Sequence, residues 1–290
     1  MALSSHGRYH YSPITARPVY NWPNGARLAV YIALNLEHFS FGEGLGAQLV
    51  PAGGMDPDVL NYAWRDYGNR VGVWRLLAEF ERLGLPAAAL VNSEIYDYCP
   101  QVVDAFRRRG DEIVGHGRTN SERQCDLCGD EEAQLIRDVT AVLAAREGHR
   151  PKGWLGPWIS ESRQTPELLK AEGYSYVLDW CHDDQPSWLE TGNGPLISIP
   201  YPQELNDIPS IIARRVGAAE FAGMIIDQLD EMLEQSSGQP LVLGIALHAY
   251  IVGQPFRLRH LRRALEHLAR SRDRLWMTRP GAIAGHFADL

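Results

Sequence analysis

The chain has 290 residues, of which 45% are hydrophobic and 22% are charged, and its formal net charge is −8. This length is sufficient for one large hydrophobic core. The acidic balance argues against nucleic acid or an anionic membrane surface as the main partner. A small neutral or weakly charged molecule suits this composition better. No apolar run approaches the roughly 20 residues that a membrane-spanning helix needs.

The four cysteines are too few for a disulfide framework in a chain of this size. The first 13 residues are polar and contain no secretory apolar segment, so we expect a cytoplasmic protein. Cys125 and Cys128 have CxxC spacing but lie in a charged linker without a second pair. We interpret that spacing as coincidental, with a redox or metal role as the alternative.

Short apolar runs alternate with helical periodicity along the chain. Residues 1–26 contain several prolines and predict an irregular arm, and a glycine-rich loop follows the first apolar run. The predicted strands cover residues 28–36, 87–91, 111–115, 152–156, 174–178 and 241–248. The predicted helices cover residues 73–83, 102–109, 130–145, 165–173, 221–233 and 258–268.

Helix boundaries are indicated by specific residues. Gly84 and Gly110 are placed to end two helices, and acidic residues at 130–132 suit the start of another. Thr165 and Pro166 have the pattern of an N-cap followed by a first-turn proline. The alternation of strands and helices predicts an α/β fold, with residues 27–290 forming one domain around a closed or nearly closed parallel sheet.

Polar or aromatic side chains follow almost every predicted strand. Because parallel sheets place functional loops at the carboxyl ends of their strands, we expect these residues to share one pocket. The residues expected at the mouth of the barrel are Glu37, His116, Trp158, Asp179 and His248.

Several segments together resemble the polysaccharide deacetylase (NodB-homology, carbohydrate esterase family 4) superfamily. They are RLAVYIALNLEHF, EIVGHGRTN, GWLGPWISES, VLDWCHDDQP, YPQELNDIP and ALHAYIVGQPFR. The chain looks most like an intracellular branch that includes cofactor-independent allantoinases and peptidoglycan-deacetylase-like proteins. The resemblance implies a distorted (β/α)7-type barrel. It also implies hydrolysis of carbon–nitrogen bonds other than peptide bonds.

The resemblance implies a metal site at Glu37, His116 and Asn120, where the family pattern has one Asp and two His. An amide oxygen is a weak zinc ligand, so Asn120 leaves two alternatives open: no cofactor, or one divalent metal ion, with zinc the first candidate. The family's catalytic Asp matches Asn35, which is not a useful base. We therefore expect Glu37 to act as the base, with a pKa raised by apolar walls.

His248 matches the family histidine that protonates the leaving nitrogen, a role that suits imidazole. A buried histidine satisfied by the backbone is the alternative. Arg118 could clamp a carbonyl or carboxylate. Four tryptophans expected near the rim could stack on a planar substrate, namely Trp154, Trp158, Trp180 and Trp188. The candidate catalytic residues are Glu37, His116 and His248. The candidate substrate-binding residues are Asn92, Arg118, Trp158, Asp179 and Asp207.

Two hypotheses follow. The first is a C–N hydrolase acting on a small intracellular amide or ureide, as in an allantoinase, with an N-acetyl-sugar or polysaccharide deacetylase as the runner-up. The second is a degenerate member that binds a ligand without turnover, since Asn35 and Asn120 replace expected catalytic residues. The resemblance further implies a homo-oligomer, often a tetramer. Neither nucleic acid nor a membrane is expected as a partner.

Overall fold

The computed structural model describes residues 5–127 and 129–290. Its sheet is a curled half-barrel in the order β6-β7-β5-β4-β3-β2-β1-β8, with β9 paired to β1. The strands are β1 (Leu28–Leu36), β2 (Ala88–Val91), β3 (Glu112–Gly115), β4 (Gly153–Trp154), β5 (Tyr176–Val177), β6 (Ser187–Leu189), β7 (Leu196–Ser198), β8 (Leu241–His248) and β9 (Trp276–Thr278). All pairs are parallel except β6 with β7.

Helices follow most strands and cover the outer face of the sheet. They are α1 (Val59–Tyr67), α2 (Val73–Leu83), α3 (Ile95–Tyr98), α4 (Pro100–Arg109), α5 (Asp130–Glu147), α6 (Thr165–Ala171), α7 (Ala218–Gln235), α8 (Ala249–Val252), α9 (Pro255–Arg270) and α10 (Pro280–Ala288). Gly84 ends α2 in the left-handed conformation that glycine adopts without strain.

Alternate residues of β1 enter two different cores because successive strand side chains point to opposite faces. Leu28, Val30, Ile32 and Leu34 pack with the helices. Ala29, Tyr31 and Ala33 face the interior of the curl. The odd-numbered positions continue inward past the end of the strand, where they deliver Glu37 to the pocket.

The same two-residue period aligns the partner strands. In β8, Val242 and Ala246 share the inner core with β1, and His248 falls on that face. In β3, Val114 belongs to the inner core, and His116, two residues later, lies on the same face and lines the pocket. Asn35 pairs in register with His248. Three strands therefore bring their ionisable ends to one edge of the sheet.

The sheet does not close through a direct pairing of β8 with the opposite edge strand. The amide of Val242 donates a hydrogen bond to the carbonyl of Asp184, which precedes β6. The irregular segment of residues 199–207, which follows β7, runs along the outer edge of β8, where Asn206 bridges Ala246. This segment places Asp207 beside the end of β8, where its carboxylate reaches His248.

Several boundary predictions need correction. Thr165 is the first residue of α6 rather than its N-cap, because its hydroxyl donates to the buried Glu132 carboxylate. The pattern missed β6, β7 and β9, which have three residues each and are too short for periodicity to reveal. The predicted strands around residues 153 and 176 shrink to two residues each.

The N-terminal arm is anchored to the barrel by ion pairs. Arg8 pairs with Glu167, Arg17 pairs with Asp183, and Trp22 is buried in the inner core. Among the described residues, no helix is both long enough and apolar enough to cross a bilayer. Cys125 is exposed and unpaired, whereas Cys128, the second residue of the CxxC spacing, lies outside the described residues.

Candidate active site

A pocket of about 260 Å³ opens at the carboxyl ends of β1, β3 and β8. One side of it is polar, with Glu37, His116 and His248 as its ionisable side chains. The other side is mostly apolar and aromatic. The lining residues on that side include Phe39, Ala47, Leu155, Trp158, Ile159, Ile208, Pro209 and Ala213. A pocket of this size and character suits a small organic molecule.

Glu37 lies at the centre of the polar side and is 6% exposed. Its Oε1 accepts a hydrogen bond from Asn120 Nδ2 at 2.5 Å, and its Oε2 accepts one from the Tyr250 hydroxyl at 2.8 Å. His248 Nε2 lies 3.5 Å from Oε1, and His116 Nε2 lies 3.7 Å from the same atom. The carboxylate therefore lies between two imidazole rings.

The pKa of Glu37 differs from the expectation of a raised value. Burial is the largest single influence and raises the pKa, but the neighbouring His248 and His116 together outweigh burial and lower the pKa to about 2. The apolar residues around Glu37 are visible in the sequence, whereas the neighbouring imidazolium is brought there only by the fold. Glu37 is therefore a carboxylate across the physiological pH range.

His248 is held by a buried carboxylate. Its Nδ1 lies 2.6 Å from Asp207 Oδ1, and its backbone N–H donates to Asp207 Oδ2 at 2.9 Å. Burial alone lowers the pKa of His248, but the charges of Asp207 and Glu37 outweigh burial and raise the pKa to about 10. The ring is a protonated donor whose Nε2 is directed toward Glu37.

The remaining predicted substrate-binding residues occupy different places. Trp158 lines the pocket, its indole N–H donates to the Asn120 carbonyl at 2.9 Å, and its backbone has a positive φ of 62°. Asn92 lies beneath the pocket and bonds the His38 amide and the Asn120 side chain. Asp207 does not line the pocket; its carboxylate accepts a hydrogen bond from His248 Nδ1.

Two predicted residues lie outside this pocket. Arg118 is paired with Glu122 and lines a separate polar cleft, so it is not positioned to clamp a substrate there. Asp179 holds the Gly156 amide at 2.7 Å, and burial together with the Glu161 carboxylate keeps its pKa well above the usual range. The expectation that Asp179 joins the pocket is therefore corrected.

Other neighbours of the strand ends also face elsewhere. His38 lies in the polar cleft, with its ring 4.8 Å from that of Tyr98. Trp154 is buried against Tyr174, and Trp180 and Trp188 contact aromatic rings outside the pocket. Of the four tryptophans expected at the rim, only Trp158 lines the pocket.

Sequence reasoning did not single out Tyr250, whose hydroxyl contacts Glu37 directly. Tyr250 follows His248 by two residues, on the first turn of α8. A polar aromatic side chain directly after a strand-end histidine could have drawn attention to it. Tyr201 and Gln203, which also line the pocket, come from the irregular segment and had no periodic signal.

The donor set around Glu37 does not fit a divalent metal ion. Asn120 directs its amide nitrogen at Glu37, while its oxygen accepts from Asn92 Nδ2 at 3.1 Å. His248 is protonated and engaged with Asp207. Only Glu37 and His116 remain as ligands, and two are fewer than a protein zinc site uses. No group of three or more His, Cys, Asp or Glu residues suited to a metal occurs among residues 5–127 and 129–290.

Comparisons with known proteins give relatives of similar length, although no family model matches the chain. A Schizosaccharomyces pombe protein assigned as a polysaccharide deacetylase is 25% identical, with 94% of this chain and 92% of that protein covered. A Pseudomonas aeruginosa PAO1 structure with the same assignment has a TM-score of 0.82 and 28% identity, covering 94% and 95% of the two chains. The structure of PuuE allantoinase has a TM-score of 0.81 and 25% identity, covering 97% and 98%.

Proposed function

We propose that this chain is a carbon–nitrogen hydrolase of the polysaccharide deacetylase superfamily and that it cleaves a small amide or ureide without a metal ion. The observation that carries the proposal is the arrangement of Glu37, His116 and His248 around one small pocket. All three are buried, and each is fixed by at least one hydrogen bond to the protein. Fixed buried groups of this kind are suited to catalysis because they need no reorganisation during the reaction.

The chemistry that this arrangement supports is attack of water on a carbonyl carbon. The attacking water binds between the Glu37 carboxylate and His116 Nε2, since both atoms accept hydrogen bonds. His248 Nε2 is protonated and lies on the same side of the pocket, where it can donate a proton to the leaving nitrogen. An amide does not release its amine until that nitrogen is protonated, so this donor is essential.

The substrate class follows from the pocket's size and walls. A cavity of about 260 Å³ with an indole at its rim accommodates a small planar amide. The structural likeness to an allantoinase supports a ureide, and the relatives assigned as polysaccharide deacetylases support an N-acetyl sugar as the second candidate. In the second case the acetyl group would enter the pocket and the sugar would stack on Trp158.

A substrate panel tests the proposal. Purified protein is assayed with ureides, cyclic imides, formamides and N-acetylhexosamines, each with and without added zinc, cobalt and manganese. We expect turnover of at least one amide or ureide without added metal. Acetate release from N-acetylhexosamines alone would favour the deacetylase function. Inertness toward every class under all conditions would favour the binding-protein hypothesis instead.

A further inference from the structure

The His116 ring is held in one tautomer. Its Nδ1 lies 2.8 Å from the Leu155 carbonyl oxygen, and the side chain is 2% exposed. A carbonyl oxygen can only accept a hydrogen bond, so Nδ1 carries the proton. The other ring nitrogen, Nε2, then presents a lone pair to the pocket.

His116 Nε2 is a buried acceptor without a hydrogen-bond partner among the described residues. Glu37 Oε1 is 3.7 Å away, beyond hydrogen-bond distance, and it is itself an acceptor. A buried polar atom left unpaired costs free energy, and such atoms are uncommon unless a function requires them. A water molecule in the pocket would satisfy this atom, because its two O–H groups would donate to Nε2 and Oε1 together.

Glu37 is a poorer proton acceptor than its position suggests. Asn120 donates to Oε1 and Tyr250 donates to Oε2, so both carboxylate oxygens are already stabilised in the charged form. His248 adds a positive charge 3.5 Å from Oε1. Protonating Glu37 would weaken all three interactions, whereas protonating His116 Nε2 would create a cation next to an existing carboxylate.

We propose that His116 Nε2 is the general base of the reaction and that Glu37 stabilises the imidazolium that results. This inference rests on the proposed function. In this chain the lone pair of His116 Nε2, which would bind a metal ion in the family pattern, accepts a proton instead. The sequence predicted Glu37 as the base. The structure favours His116 instead, because His116 Nε2 is the buried atom without a hydrogen-bond partner.

The reaction transfers one proton to His116 and takes one proton from His248. Water transfers one proton to His116 Nε2 as its oxygen bonds to the carbonyl carbon and the C=O electron pair moves onto oxygen. The carbonyl re-forms, the C–N bond breaks, and its electron pair stays on nitrogen, which takes a proton from His248 Nε2. The products are a carboxylic acid and an amine. A net proton transfer from His116 to His248 through solvent restores the enzyme.

Chemical rescue tests the assignment. His116→Ala is assayed with a panel substrate that the wild type hydrolyses, in the presence of imidazoles of similar size and different pKa. We expect kcat/KM to fall by about 10²–10⁴-fold and imidazole to restore part of it. The rescue rate constant should increase with the pKa of the imidazole, because a base that takes a proton in the transition state shows this dependence. A purely positioning side chain would not produce it.

A second variant keeps the assignment testable if His116→Ala does not fold. His116→Asn keeps an N–H donor for the Leu155 carbonyl but has no basic nitrogen. We expect a melting temperature close to the wild type and the same large loss of rate. Activity within about tenfold of the wild type, an order of magnitude short of a base's contribution, would overturn the assignment. A His116→Ala variant that imidazole does not rescue, or that is rescued equally by imidazoles of every pKa, would also overturn the assignment. An inert wild type would instead overturn the proposed function itself.

Discussion

At the level of single residues, the two carboxylate oxygens of Glu37 contact several groups of the site. Asn120 and His248 lie against Oε1, and Tyr250 donates to Oε2. We predict that Glu37→Gln lowers kcat/KM by about 10²–10⁴-fold while the fold persists, because the amide has a similar shape but no charge to stabilise either imidazolium. Steady-state kinetics with thermal denaturation measure both effects. Glu147→Gln is the control. Like Glu37, Glu147 accepts a hydrogen bond from a tyrosine hydroxyl, but its second donor is an arginine and it lies outside the pocket.

His248 gives a prediction about pH. The reaction needs this ring protonated, and its pKa is raised to about 10, so activity should decline only as the pH rises toward 10. Asp207→Asn removes a negative charge that raises this pKa, so the alkaline limb of kcat/KM should move to lower pH. The matched control is Asp230→Asn, because Asp230 contacts His267 at 2.7 Å in an exposed pair. An unchanged alkaline limb in Asp207→Asn would contradict the role of His248.

Asn120 is the residue that departs most clearly from a metal site. We predict that Asn120→His binds zinc more tightly than the wild type, because it adds an imidazole to the ligands Glu37 and His116. Isothermal titration with zinc measures the change. Asn120→Ala removes the hydrogen bond to Glu37 without adding a ligand and should show no gain. Equal zinc affinity in all three proteins would show that Asn120 does not control metal binding.

At the scale of elements, α8 is positioned by a close contact with the π-helical turn Gly68–Gly72. A Cβ at Gly72 would overlap the Ala249 carbonyl oxygen, next to the residue that contacts Glu37. We predict that Gly72→Ala destabilises the protein by about 1–3 kcal/mol through overpacking. Gly223→Ala in α7, where a Cβ meets no atom within 4 Å, should instead be neutral or slightly stabilising. Denaturant unfolding compares the two.

Long elements were predictable because their patterns repeat. The β1 run, the α2 stripe ending at Gly84 and the end of β8 at His248 agree with the sequence prediction. The short strands, the role of Thr165 and the path of the segment before Asp207 depend on tertiary contacts and have no local signal. The pKa of Glu37 was missed for the same reason, since it depends on His248, more than 200 residues away in the chain.

At the scale of the whole molecule, the curled parallel sheet predicted from alternating strands and helices is confirmed. Closure is incomplete, and the irregular segment that runs along the outer edge of β8 supplies Asp207 and part of the pocket wall. The homo-oligomer implied by the family resemblance stays a prediction, which sedimentation equilibrium would test. The pocket takes its residues from the ends of β1, β3 and β8, from the α8 turn, from the loop after β4 and from this irregular segment.

We expect this protein to hydrolyse its substrate without a bound metal ion. The direct measurement is the initial rate of the wild-type enzyme after exhaustive chelation, with metal content determined on the same sample, followed by addition of zinc. We predict an unchanged rate at substoichiometric metal and no increase when zinc is added, because His116, Glu37 and His248 supply the base, the stabilising charge and the acid. Loss of activity on chelation, restored by zinc, would show instead that the reaction depends on a metal ion.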